Sequence, residues 1–281
     1  MNPEAAAFTI TGVSIGYPGR PVIDQLSLSP LPPASVTTLV GPNAAGKSTL
    51  LRGVAGLLPA RGVVRLGDLT LSGATRGAWT RRVGFMPQTL PAGARLLALE
   101  SVVAALAASQ PDEGLSLSQS AMRARAMATL ERLGVGGLAL EPLDALSGGQ
   151  RQLIALAQAI VRRPAALLLD EPTSALDLRH QEQVMRVARD LATTGMMVIV
   201  VLHDLAMAAR WGSHMVVLSQ GRLAAEGPPD QVLTSALLAR VYGVDARVER
   251  CSAGRLQIMV DGVIDHGSSR SGAPPPSLPP P

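Results

Sequence analysis

The feature that most constrains this chain is the run Gly41-Pro-Asn-Ala-Ala-Gly-Lys-Ser48, which follows a strand pattern, Ser35-Val-Thr-Thr-Leu-Val40, and opens an apolar helix pattern from Ser48 to Leu57. A strand entering a glycine-punctuated loop and then a helix turns successive backbone N–H groups toward one point, an arrangement that suits phosphate. From average composition the bare pattern G-x-x-x-x-G-K-[ST] is expected in roughly one chain of this length in a hundred, and the strand and helix on either side make coincidence rarer. Gly41, Pro42, Asn43, Ala44, Ala45, Gly46 and Thr49 are then the loop and helix start around the phosphates, Lys47 is a mobile cation, and Ser48 is a hydroxyl ligand for Mg²⁺. Lys47 is also the only lysine of the chain, every other basic side chain being arginine. An ammonium point charge and a guanidinium fork are not equivalent, so retention of lysine at one position agrees with a role for it there. The chain is expected to bind a nucleoside triphosphate.

The rest of the chain is organised around that unit. Phe8 to Ile15 alternates apolar and polar residues, Tyr17-Pro-Gly-Arg20 supplies a turn, and Val22 to Leu28 continues the alternation, which predicts antiparallel strands. Ala166 to Leu169 and Met196 to Leu202 read as buried strands on either side of a helix from about Arg179 to Thr193, whose Val184, Val187, Ala188 and Leu191 share one face. Such alternation predicts a parallel sheet flanked by helices. Between Pro91 and Pro142 the spacing becomes helical throughout, which reads as an inserted helical subdomain. The expected division is a main domain over 1–250 with helices inserted at about 91–142, a short extension over 251–266 containing a strand from Leu256 to Val260, and a disordered proline-rich tail over 267–281.

Leu167-Leu-Leu-Asp170-Glu171 is an apolar strand ending in two acids. Behind a phosphate loop, Asp170 suits a metal ligand acting through water, and Glu171 suits a base that polarises the water attacking the terminal phosphate. Leu146-Ser-Gly-Gly-Gln-Arg-Gln152 precedes a helical run, Leu153 to Val161, and so sets the donors of Ser147, Gly148, Gly149 and Gln150 at a helix N-terminus.

With these motifs assembled, the sequence from Phe8 to Val248 resembles the ATP-binding cassette (ABC) ATPases, whose signature is Leu146-Ser-Gly-Gly-Gln150. Further matches follow in the family's order: Tyr17, Gln88 in Val83-Gly-Phe-Met-Pro-Gln88, Ser174-Ala-Leu-Asp177, and His203 after Val198 to Leu202. The resemblance implies an α/β fold with a parallel-sheet phosphate-loop core, an N-terminal antiparallel β subdomain and an inserted α-helical subdomain. It also implies that Tyr17 stacks on adenine, Gln88 senses the metal and contacts the membrane partner, Asp177 lines a dimer interface, and His203 contacts the γ-phosphate. The implied ligands are ATP and Mg²⁺. The implied partners are a second copy, whose Ser147-Gly-Gly149 faces the nucleotide of the first, transmembrane permease subunits and, indirectly, a substrate-binding protein. Ala44 departs from the family, which commonly has glycine there; its methyl group leads us to expect a right-handed backbone.

Composition narrows the setting. The chain has 281 residues with 47% hydrophobic content, enough for a sizeable core, and no apolar run near the ~20 residues that span a bilayer. Met1 to Ala7 lack the pattern of a targeting signal, so the expected location is the cytoplasmic face of the inner or plasma membrane, held there by a permease. Cys251 is the sole cysteine and is read as inert. A net charge of +4 with dispersed arginines does not suggest nucleic-acid binding, and the long insertions or second cassette of nucleic-acid-maintenance relatives are missing. Leu223 to Thr234 and Leu237 to Val248, with Val241-Tyr-Gly-Val244, resemble the ATPases of bacterial iron-siderophore, haem and cobalamin importers. On that likeness an iron-siderophore cargo is expected first, haem or cobalamin next, and zinc or manganese last. The remaining histidines, His180, His214 and His266, and Trp79, Trp211 and Tyr242, are read as structural.

Overall fold

The computed structural model describes residues 7–88, 96–108, 117–174 and 176–264. In chain order the elements are β1 (Phe8–Tyr17), β2 (Arg20–Leu31), β3 (Val36–Val40), α1 (Lys47–Val54), β4 (Ala60–Leu66), β5 (Leu69–Thr70), α2 (Arg76–Arg82) and β6 (Val83–Met86). Next come α3 (Ala98–Ala107), α4 (Gln119–Arg132), α5 (Gly148–Ile160), β7 (Ala166–Leu169), α6 (Leu178–Thr193), β8 (Met197–Val201) and α7 (Leu205–Trp211). The chain closes with β9 (His214–Ser219), β10 (Arg222–Gly227), α8 (Pro229–Val232), α9 (Ser235–Tyr242), β11 (Val244–Arg250) and β12 (Leu256–Val263).

The central sheet has the order β10-β9-β3-β8-β7-β6. β3 pairs in parallel with both β8 and β9, and β7 with both β6 and β8, while β10 returns antiparallel along the edge of β9. β3, β7 and β8 are buried along their whole length, which is why β7 and β8 read as apolar runs with no alternation, while β3 buries Thr37 and Thr38 as well. Alternation is nonetheless present in the packing. Leu167, Leu169, Val198 and Val200 face α3 to α6, whereas Leu168, Ile199 and Val201 face α1 and the strands β1, β2 and β4.

That second layer is the expected antiparallel sheet, in the order β2-β1-β4-β5. Trp79 fixes α2 beneath it, edge-on to Phe8 with centroids 6.4 Å apart and donating from Nε1 to the Val54 carbonyl at 3.0 Å. On the other side of the molecule α3 and α4 join the core of α5 through Val102, Leu106, Ala126, Leu130 and Leu133. The two ends of this helical stretch are tied together: Ala98 N donates to Glu141 O at 2.9 Å and Leu143 N to Leu96 O at 3.0 Å.

The parallel sheet carries an antiparallel edge, because the Gln220-Gly221 turn, with both residues at positive φ, folds β10 back on β9. β11 and β12 pair from Val244↔Val263 to Arg250↔Leu256, so residue 250 lies inside a hairpin. The proline-rich tail and His266 lie outside the described residues.

Candidate active site

Parallel pairing brings the carboxyl ends of β3, β6, β7 and β8 to one edge, where α/β sheets bind ligands. Each strand delivers one piece of the site: β3 the loop ending at Lys47, β6 Gln88, β7 Asp170 and Glu171, and β8 His203.

The loop holds its shape through close backbone approach. Gly41 has φ +149, and a Cβ on it would collide with the Leu218 carbonyl oxygen of β9. Gly46, at φ +97, is the N-cap of α1 and offers no side chain to the helix start, so the first N–H groups of α1 have no cap. Between the two glycines a turn is closed by Ala45 N donating to Pro42 O at 3.2 Å, and Ala44 is its third residue with φ +62. The expected right-handed Ala44 is therefore wrong. A turn of this kind needs positive φ at that position, and the Ala44 side chain is exposed, so its methyl meets no clash that would force another path.

Lys47 is 5% exposed and its Nζ donates to the carbonyls of Gly41 at 2.8 Å and Pro42 at 2.9 Å. Burial lowers its pKa, against the opposing pull of Glu171 and Asp170. The Ser48 hydroxyl donates to Asp170 Oδ1 at 2.8 Å. Asp170 is fully buried, its Oδ2 has no hydrogen-bond partner, and burial raises its carboxyl above the ordinary range although the Ser48 bond opposes this. Glu171 adopts φ +52, an uncommon conformation for a residue with a long side chain. Its Oε2 accepts from Gln88 Nε2 at 2.6 Å and its Oε1 lies 2.6 Å from His203 Nε2. Two oxygen donors, the partly buried Ser48 Oγ and the buried Asp170 Oδ2, suit a hard divalent cation that takes its remaining ligands from phosphate and water. No group of three or more His, Cys, Asp or Glu among the described residues forms a metal cage without such help.

A cleft of about 260 Å³ is lined by Tyr17, Arg20, residues 43–49, Glu171 and His203. Tyr17 is 42% exposed at the end of β1, with its ring available to a ligand. Ser147, Gly148, Gly149, Gln150 and Asp177 do not line this cleft. Ser147 caps α5, accepting from Gln150 N at 3.3 Å while Gln150 Oε1 accepts from Ser147 N at 2.8 Å, and both Ser147 and Gly148 are exposed. Asp177 caps α6, where the bond from His180 N at 2.9 Å holds its carboxyl below the ordinary range, and His180 Nδ1 lies 2.7 Å away.

Two residues of the site carry no signal in the sequence. Arg20 reaches the cleft only because the hairpin turn after Tyr17 brings it there. Gln152, on the buried face of α5, donates to the Glu171 carbonyl at 3.3 Å and so ties the helix of the Ser-Gly-Gly run to the second acid.

A fold with these strand-end motifs defines a phosphate-loop ATPase. Residues 23–174 match the family model described as ABC transporter. The chain belongs to the ABC transporter family and is an ATP-hydrolysing subunit of it. It is similar to the hemin import ATP-binding protein HmuV of Rhodococcus jostii (strain RHA1), at 40% identity over 245 residues, covering 85% of this chain and 80% of that one. It is similar also to the protein of the same name from Streptomyces coelicolor (strain ATCC BAA-471 / A3(2) / M145), at 42% identity over 232 residues, covering 82% and 81%. Among solved structures, a metal-chelate type ABC transporter in an inward-facing conformation superposes with TM-score 0.75 at 25% identity, over 92% of this chain and 98% of that one. A dimeric bacterial ABC transporter cassette gives TM-score 0.69 at 26% identity, over 79% and 98%. The expected ABC ATPase fold is the fold observed. No helix among the described residues is long and apolar enough to cross a membrane.

Proposed function

We propose that two copies of this chain close around ATP beneath a membrane permease and power the import of haem. The observation that carries the catalytic part is the placement of Glu171, gripped by Gln88 and His203 at the rim of the cleft that Lys47 and Ser48 line. In the working site Glu171 orients and polarises the attacking water, and His203 and Gln88 are positioned to exchange their contact with Glu171 for contact with the terminal phosphate. Tyr17 stacks on the adenine. The loop N–H groups and Lys47 hold the phosphates, for which Lys47 releases the carbonyls of Gly41 and Pro42. Ser48 and Asp170 would hold Mg²⁺, which neutralises charge on the phosphate oxygens.

Ser147 and Gly148 are exposed and lie outside the cleft, so a second copy is the means of bringing them to the nucleotide. Asp177, capping α6, then lies along the seam between copies. The closed pair is favoured by ATP and released by hydrolysis, and the helical segment beyond Gln88 passes that motion to the permease at the cytoplasmic face. A substrate-binding protein acts through the permease and does not touch this chain.

The siderophore cargo expected first yields to haem, because relatives at 40% and 42% identity bear the hemin import name. Deleting the gene in its own host tests this. Loss of growth on haemin as iron source, with growth on ferric siderophores kept, is the expected result; the reverse pattern restores the siderophore reading.

A further inference from the structure

At the far end of the parallel sheet from Lys47 lies a cavity of about 870 Å³, between α4, the last residues of α5 and α6, and the entries to β7 and β8. Its size matches sites that take drug-sized ligands. Arg125 and Arg132, seven residues apart on one face of α4, line it together with Arg163, and no acidic side chain is among its lining residues. Much of the remaining wall is apolar, including Ile160, Leu191 and Met196.

Arg132 and Arg163 are exposed, whereas Arg125 is partly buried against the apolar wall. Arg125 Nε is closed off from solvent without a hydrogen-bond partner. Burial lowers the pKa of Arg125, and the charge of Arg163 adds to that effect. Arg163 itself stands at φ +55 just beyond α5, where chains ordinarily place glycine. The carboxyl ends of α5 and α6 also point toward the cavity, but each carries about half a negative charge. Together they offset about one of the three positive charges, so the described residues that line the cavity leave a net positive field.

We propose that this cavity is a second binding site, for an anion with an apolar body whose acid group is taken by Arg125, Arg132 and Arg163. Occupancy would clamp α4 to the end of α5, the helix whose other end presents Ser147 about 20 Å away. The site does not depend on the cargo assigned above, although haemin, with two carboxylates on an apolar ring, has the required chemistry.

Calorimetric titration of the full chain with haemin, laurate and inorganic phosphate tests the proposal. Haemin or laurate should bind with Kd of about 10 μM or tighter, and phosphate, which has no apolar body, should not compete. Binding of haemin alone points to feedback by an imported chelate, and binding of laurate alone or of both points to an acyl carboxylate. The double variant Arg125→Gln/Arg163→Gln should weaken binding at least tenfold, and Ala121→Trp, which fills the cavity without changing charge, should do the same. ATP affinity should be unchanged in both variants, which reports that they are folded. The proposal is overturned if neither haemin nor laurate binds, if phosphate binds as well as they do, or if both variants bind like the parent chain.

Discussion

His203 Nε2 lies 2.6 Å from Glu171 Oε1, so the ends of two neighbouring strands, β8 and β7, meet at one carboxylate. A glutamine at 171 keeps the size and much of the hydrogen bonding but loses the charge that, in the proposed mechanism, polarises water. Glu171→Gln is therefore expected to bind ATP normally while turnover falls by about a hundredfold or more. Size-exclusion chromatography with ATP and Mg²⁺ should show a trapped dimer. Turnover within tenfold of the parent chain would remove Glu171 from the role of base.

Lys47 is 5% exposed and its ammonium fits between two carbonyls. Arginine, which the chain uses at every other basic position, brings a planar fork too wide for that space. Lys47→Arg should weaken ATP binding at least tenfold, measured by equilibrium titration, despite keeping the charge. Undiminished affinity would show that only charge is required there.

Asp170 connects stability to pH. Its pKa is raised by burial, so the folded chain holds this proton more tightly than the unfolded chain does. Ionisation therefore destabilises the folded state at pH above the folded pKa, and the penalty disappears as pH falls toward the ordinary value near 3.8. Asp170→Asn should raise the Tm of the nucleotide-free chain at pH 7.5 by a few degrees, since about 1 kcal/mol corresponds to 2–4 °C at this size. The gap between variant and parent should narrow on acidification toward pH 4. The same variant should abolish the Mg²⁺ dependence of ATP binding. A lower Tm at pH 7.5 would show that the carboxylate stabilises the empty site.

Much of this site was legible because its parts are local in sequence. The loop from Gly41 to Ser48 and the Asp170-Glu171 pair each need only a strand and the turn that follows it. The contacts of Glu171 with Gln88, 83 residues away, and with Gln152 were not legible, because they depend on which strands lie side by side and on which face α5 buries. In β11, Val244, Ala246 and Val248 alternate with polar residues, but the alternation is too short to mark a strand before its pairing with β12 is known. At Ala44 propensity favours a right-handed backbone, whereas the turn between Pro42 and Ala45 sets the dihedral.

A non-glycine residue in the left-handed region costs roughly 1–2 kcal/mol, and glycine returns about 0.4–1 kcal/mol of that through a freer unfolded chain. Ala44→Gly should thus stabilise the protein by about 0.5 kcal/mol in denaturant unfolding, with ATP turnover unchanged. Destabilisation by 1 kcal/mol or more would mean that the alanine is not strained.

The central claim is that each nucleotide site is completed across two copies, and mixing two inactive variants tests it most directly. Ser147→Arg puts a bulky cation where the partner's terminal phosphate must dock, and Lys47→Ala cripples the phosphate loop. In a mixed pair one site carries both lesions and the other carries neither, because each site takes Lys47 from one chain and Ser147 from the other. ATP-driven dimerisation should be absent for each variant alone and should reappear on mixing. If Ser147→Arg alone dimerises and hydrolyses ATP like the parent chain, or if the mixture stays monomeric, the shared site is contradicted and the Ser147-Gly-Gly149 run is a structural turn.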